Sequence, residues 1–325
     1  MLFTLLPADL VTLRSGCAAV PVKATVIRVE GPGAVDCVQG IFTNDVARPG
    51  PGAVVYGALL TPKGMIVVDG WVFRDGAECM LIADRPSRDQ AVELLRHRIP
   101  PRLARWTDLS DDWQAHWLVG PAVERLAGST LAWPAAAGQS LRDGDVLIGR
   151  LPQVAAPIGG LIVGPNQSVE TIARRLAESG VSSRSEEMLH AARVLAGWPT
   201  IGREIGDKTL PQEVRYDEID GVSYTKGCYI GQETVARVHF RGHPNRYLRG
   251  VTWEGEAPSS WTVRAHSREV GQVSSALQVE GLGLGLALLR REVEPGMTVT
   301  LDATEGRVVR LPFAWPEKLA RAPNG

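Results

Sequence analysis

Cysteine is scarce in this sequence, with four in 325 residues, at positions 17, 37, 79 and 228. No two stand in a C-x-x-C pair, which excludes a zinc knuckle, a dithiol redox motif and the disulfide framework of a small secreted domain. An excess of one charge is also missing, since 35 basic side chains face 36 acidic ones. No global field drives such a chain onto nucleic acid or an anionic membrane, so any contact of that kind must be local. Long apolar runs are absent too, and none reaches the roughly 18 residues of a membrane helix. The opening MLFTLLPADL lacks a basic start and meets Asp9 at once, unlike a signal peptide. The expectation is a soluble, cytoplasmic protein with reduced thiols.

What is abundant is turn chemistry, with 35 Gly and 22 Pro. Such a chain reverses often, and its length suits two to three domains of roughly 100–200 residues. Residues 22–29 have the β-branched content of a strand and end in the turn Glu30-Gly31-Pro32-Gly33, with a short helix expected over 35–39. The stretches 53–60 and 65–73, joined by Thr61-Pro62-Lys63-Gly64, read as a β-hairpin with 78–84 as its neighbour. Ser87 is placed to cap a helix presenting Ala91, Leu94, Leu95 and Ile99, ended by Pro100-Pro101. Residues 127–157 are poor in pattern and read as a boundary or crossover. Two helices follow, from Ser168 to Gly180 and from Ser185 to Gly197, and then six short strands from Tyr247 onward suggest a small antiparallel barrel. Hairpins outnumber strand–helix–strand units, so the fold class is α+β rather than a doubly wound parallel sheet.

Chemistry concentrates in residues 222–242, VSYTKGCYIGQETVARVHFRG. Lys226 and Cys228 flank Gly227, and Gly231, Gln232 and Glu233 follow. A cation two residues from a thiol favours the thiolate, and the start of a helix near Gly231 adds its positive end where geometry allows. An isolated cysteine is usually a small buried hydrophobe, the reading retained for Cys17, Cys37 and Cys79. For Cys228 the neighbours favour a nucleophile, a soft-metal ligand or a redox trap. His239 and His243 have helical metal spacing, but Pro244 and the Arg-Gly-His turn argue against a helix there.

The segment KGCYIGQE at 226–233, followed by VARVHFRG, resembles the signature of the YgfZ family, folate-binding relatives of the glycine-cleavage T-protein implicated in iron–sulfur cluster assembly or maintenance. Residues 29–46, 61–73 and 117–121 resemble that superfamily's N-terminal landmarks, and EVGQVSS and GLGLALL its C-terminal barrel. The resemblance implies a three-lobed cloverleaf around a central channel for tetrahydrofolate or a related folate, with Cys228 facing it. Residues 1–240 would form two lobes of mixed antiparallel sheet and helix, roughly 50–120 being inserted, and 241–325 the barrel.

Lys226, Gly227, Cys228, Gly231, Gln232 and Glu233 match the family motif, with Tyr229 inside it and Arg237 just beyond. Asp69 falls at the second acid of the superfamily's G-G-x-x-D-D run, where the first acid is here Val68. Asn44 and Asp45 match its T-N-D landmark, although an Asp-containing turn accounts for them equally well. Leu195 stands where the T-protein's R-x-E-A-G stretch has the Glu that holds the pterin. A pterin would thereby lose a charged acceptor worth about 1.5–3 kcal/mol unless another segment supplies one.

The implied function is an iron–sulfur maintenance factor with folate in its channel, no stably bound cluster, and Cys228 as its working thiol, supported by Lys226. Its partners would be iron–sulfur client enzymes, including tRNA-modifying ones. The alternative is a tetrahydrofolate-dependent aminomethyltransferase using Asp69, against which Leu195, Val68 and the cysteine motif count. Direct nucleic-acid binding through Arg237, Arg241, Arg246 and Arg249 is disfavoured by the near-even charge.

Overall fold

The computed structural model describes residues 2–314. Its first sheet is antiparallel, in the order Val54–Leu60, Ile66–Asp75, Glu78–Asp84, Ala24–Glu30, Arg105–Asp108. Helices Ala34–Gln39 and Arg88–Arg98 cover one face, setting Val38, Ala91 and Leu95 against Val29, Val72 and Leu81. The expected hairpin forms with its turn at 61–64. Ser87 does precede the helix, but its hydroxyl makes no capping bond.

The second sheet runs Ser182–Ser183, Ala18–Val22, Trp113–Val119, Ile158–Pro165, Val146–Arg150, Gln139–Asp143. Helix Asn166–Glu178 sends Val169, Ile172 and Leu176 into its core. Residues 18–22 and 113–119 pair here, so the chain between them, which carries the first sheet from 24 to 108, is an insertion. It begins earlier than the expected 50 because Ala24–Glu30 is clasped between two later strands. The stretch 127–157 is not a crossover, since it contains the hairpin Gln139–Asp143 and Val146–Arg150. Its outer strand is an edge strand with no fully buried residue, which leaves little hydrophobic pattern to read.

The third unit is the barrel, made of Arg246–Glu254, Thr262–Ala265, Arg268–Val279, Leu282–Arg290, Thr298–Leu301 and Thr304–Val309. Pairing of Arg268–Val279 with Leu282–Arg290 closes it. The Gly-Leu repeat lies in a barrel strand beside Trp253, and a Cβ at Gly283 would sit 1.8 Å from that indole. Leu2–Thr4 adds to the barrel in parallel, a use of the N-terminal apolar run that its sequence did not announce. The part of the expected barrel segment beyond 314 lies outside the described residues. No helix among the described residues is long and apolar enough to cross a membrane.

Candidate functional site

Where the lobes meet, a buried carboxylate stands among aromatic rings. Asp69 and Trp71 are two apart on one strand and so share a face, and Ala58 and Tyr56 lie opposite them in register. Tyr56 donates a 2.7 Å hydrogen bond to Asp69 Oδ2, and the Tyr216 hydroxyl lies 3.2 Å from that of Tyr56. Trp198 stacks on Trp71 with centroids 5.7 Å apart and meets Tyr56 edge-on at 4.6 Å. Asp84, on the neighbouring strand, is held by two Arg193 hydrogen bonds of 3.0 and 2.8 Å.

Burial, and then the charge of Asp84, push Asp69 up to about 7, against the opposing pull of the Tyr56 hydrogen bond and Arg193. Burial also acts on Asp84, but the Arg193 charge and its paired hydrogen bonds outweigh it and hold Asp84 below the usual carboxylate range. The two carboxyls are therefore driven apart, one ionised and the other poised to exchange a proton near neutrality.

Around Asp69 lie three separate cavities that share wall residues. The space at Asp69 is about 20 Å³, room for little more than a water. Ile158 separates it from a cavity of about 380 Å³ lined by Leu195, Glu124, Trp133, Arg150 and Gln153. On the other side, Asp84 and Arg193 also wall a cavity of about 590 Å³. Leu195 thus faces the first large cavity, and a carboxylate from another segment, Glu124, shares that cavity with it. Glu124 is paired there with Arg150 at 2.8 Å.

The signature loop divides into inward and outward residues. Lys226 is buried, and its ammonium donates to the carbonyls of Gln39, Phe42 and Asn44 at 2.7, 2.6 and 2.8 Å. Burial draws it down to about 8, with Asp45 opposing. Its three donors are spent, so none is left for a thiolate. Lys226 thereby clamps the loop to the 39–44 turn.

Tyr229 is buried within the central core. Cys228, between these two anchors, is solvent-exposed and is not among the residues lining the Asp69 cavity. The inward pull of Lys226 and Tyr229 leaves it at the outer apex, where the resemblance had it facing the channel. The other three thiols are buried or half-buried, and burial pushes Cys17 and Cys79 up to about 12, with Arg74 opposing at Cys79.

Gly231 precedes helix Gln232–Arg241 with φ +85°, and a Cβ there would meet the Thr61 carbonyl at 2.6 Å. The hairpin turn and the helix start are therefore fitted to each other, and only glycine permits that approach. Gly227 has open space and no such requirement. Gln232 accepts from the Tyr229 amide at 3.3 Å, and Glu233 occupies the first helical turn.

Asn44 and Asp45 spend their side chains inside the fold. The Asn44 amide donates to the carbonyls of Tyr56 and Asp220, while Asp45 accepts from Gln39 and from the amides of Ala47 and Arg48. Arg237 is exposed on the outer helix, Arg246 is paired with Glu213, and Arg249 lies over Tyr247. The basic run is thus split among separate partners. His239 stacks on Tyr224 and meets Asp217, and among the described residues no three His, Cys, Asp or Glu gather as a metal site.

Tyr56, Trp71, Trp198, Tyr216 and Asp84 were not expected at the site from the sequence. The one local signal was the two-residue spacing of Asp69 and Trp71, which puts both on one strand face. The others arrive from distant segments.

The family model described as the GCVT N-terminal domain matches residues 10–143. The tRNA-modifying protein YgfZ of Escherichia coli (strain SMS-3-5 / SECEC) is 26% identical, covering 86% of this chain and 88% of its own. The like-named protein of Blochmanniella pennsylvanica is 24% identical, over 83% and 86%. An aminomethyltransferase of Rubrobacter xylanophilus is 25% identical, over 88% and 80%. Among solved structures, the glycine cleavage system aminomethyltransferase T of Bartonella henselae superposes with a TM-score of 0.81 at 19% identity, covering 94% of this chain and 89% of its own. With its three lobes, closed barrel and YgfZ-named relatives, the chain is similar to the YgfZ, GcvT-like proteins along most of its length and shares the T-protein fold.

Proposed function

We propose that this protein is a folate-binding factor of the cytoplasm that maintains iron–sulfur enzymes, those that modify tRNA among them, with Cys228 as its working thiol. The observation that carries the proposal is the exposure of Cys228, held outward by Lys226 and Tyr229, while the other three cysteines are turned inward. A thiol presented this way meets a partner protein or a released sulfur or iron species without passing through the fold. The YgfZ-named relatives support the link to tRNA modification.

Tetrahydrofolate would supply a carrier for one-carbon units. The residues beside Leu195 suit a flat heterocycle with N–H groups: the cavity of about 380 Å³ is within the range of roughly 300–1,000 Å³ for ligand pockets. Glu124, paired with Arg150 at 2.8 Å on the same cavity, is the carboxylate nearest in kind to the one that Leu195 lacks. Asp69, across Ile158, holds or releases a proton near neutral pH. Lys226, Asn44 and Asp45 position the loop, and Gln232, Glu233 and Gly231 set the helix start that carries it.

The aminomethyltransferase reading is favoured by Asp69 and by the T-protein fold. It lacks the acid at Leu195 and gives Cys228 no task. Both readings are tested in a strain lacking its own YgfZ relative, with modified tRNA as readout. The chain is expected to restore modification and Cys228→Ala to fail; full rescue by Cys228→Ala would sink the thiol role. Incubation with an aminomethylated lipoyl carrier and tetrahydrofolate is expected to release no ammonia, and turnover there would establish the transferase instead.

A further inference from the structure

The outer face of helix Gln232–Arg241 has no task in the function proposed above, where tRNA is met only through client enzymes. Arg237, Phe240 and Arg241 are exposed and, being three and four residues apart, stand together on that face. The turn that follows brings a second pair of guanidinium groups beside them. Arg291 donates its amide to the Asn245 carbonyl at 3.0 Å, and Arg290 lies opposite Arg246 in the barrel register. Between the turn and the strand end an open cavity of about 560 Å³ is lined by His243, Asn245, Arg246, Arg290, Arg291 and Glu292.

The charges on this face do not cancel. Arg246 is spent on Glu213, and Asp217 is taken by Tyr224 and His239. Among the described residues, Arg237, Arg241, Arg290 and Arg291 have neither an ion pair nor a side-chain hydrogen bond. Against these four stand Glu233, in the first turn of the helix, and Glu292, which leaves two positive charges in excess. Phe240 is 66% exposed, and its ring is held in place. It meets His239 edge-on at 4.7 Å and Tyr224 at 5.8 Å, and His239 in turn stacks on Tyr224 at 3.6 Å. A lone exposed apolar side chain is ordinary, but a ring fixed by two others and flanked by unpaired guanidinium groups is a stacking platform.

We infer that this face binds a single strand of nucleic acid, RNA in the setting proposed above, with phosphates on Arg237, Arg241, Arg290 and Arg291 and a base stacked on Phe240. A single strand carries a charge and a flat ring at every nucleotide and so uses both features, whereas an acidic peptide uses the arginines alone. The near-even charge of the whole chain keeps the contact local. Bound strand and exposed thiol then lie towards opposite ends of one helix, about 15 Å long. The choice of RNA rests on the tRNA link proposed above, and the choice of a single strand on the platform.

Fluorescence anisotropy of the full chain with a labelled single-stranded RNA of about 12 nucleotides tests the inference. Four phosphate contacts predict a log–log salt slope of about −3, a loss of roughly 50-fold between about 50 and 200 mM salt. Arg237→Glu combined with Arg241→Glu is expected to weaken binding at least about tenfold, and Phe240→Ala at least about fivefold with the salt slope unchanged, both at unchanged melting temperature. No binding at the lower salt, or no effect of Phe240→Ala, overturns the site. Polyglutamate of matched charge that competes as well as unlabelled RNA would make it a face for acidic protein instead. Cys228→Ala is expected to bind RNA as tightly as the native chain, so the thiol reading and this one fail separately.

Discussion

Replacing Asp69 by Asn should stabilise the protein, and the gain should depend on pH in a way that geometry alone dictates. In the unfolded chain this carboxyl ionises near 3.8, whereas burial and Asp84 raise it to about 7 in the fold. Between those values the folded state binds the proton and the unfolded state does not. The group's contribution is therefore fully present below about pH 4 and is lost as pH rises through 7. A displacement of about 3 units at about 1.4 kcal/mol each amounts to roughly 4 kcal/mol. Asp69→Asn cannot ionise and escapes this loss.

Urea unfolding of both proteins from pH 4.5 to 8.5 measures the difference directly. Exchanging the Tyr56 acceptor for an amide adds an offset of about 1 kcal/mol that does not vary with pH. The relative stability of Asp69→Asn should then climb by about 1.4 kcal/mol per pH unit up to about 7 and level off. A flat difference would refute the view that a protonated carboxyl is stored in this site, and with it the acid–base role given to Asp69. A plateau reached below pH 5 would mean that Arg193 serves Asp69 as well as Asp84.

Two further outcomes test the signature loop. Lys226→Met removes three hydrogen bonds to the 39–44 turn and strands their carbonyls, so urea unfolding should show a loss of roughly 3–5 kcal/mol. The alkylation rate of Cys228 in the still-folded variant should change by less than about twofold if Lys226 acts on the loop only as a clamp, and a tenfold fall would show that its charge supports the thiolate. In native protein a thiol-specific chromophore should react rapidly with one cysteine and in denaturant with four. Cys228→Ala should abolish the rapid phase, and its survival would mean that a buried thiol is reached by local opening.

The hairpin at 54–75 was legible because the Pro-Gly turn between its two apolar runs is a local signal, and helix 186–196 because Gly197 takes the φ of +64° that ends it. The signature was legible as a motif but not as a geometry. Lys226 looks like the partner of Cys228 in sequence, yet its acceptors lie more than 180 residues away and no local pattern encodes them. The aromatic cluster was hidden for the same reason, since Tyr56, Trp71, Trp198 and Tyr216 come from three separated stretches. Ser87 failed as a cap although the residue type was right, because type sets the propensity while the backbone of the preceding turn sets whether the hydroxyl can reach.

The two reactive groups, set apart in space, are still mechanically joined. Lys226 donates to the Asn44 carbonyl, the Asn44 amide donates to the Tyr56 carbonyl, and the Tyr56 hydroxyl donates to Asp69. Three residues thus connect the loop that presents Cys228 with the acid that lines the central cavity. This gives the lysine of the signature a reason to stand beside the cysteine without acting on it, because it fixes the position of the loop relative to the cavity. The Lys226–Asn44–Tyr56 chain thus links the exterior loop to the interior carboxyl with hydrogen bonds of 2.7–2.9 Å.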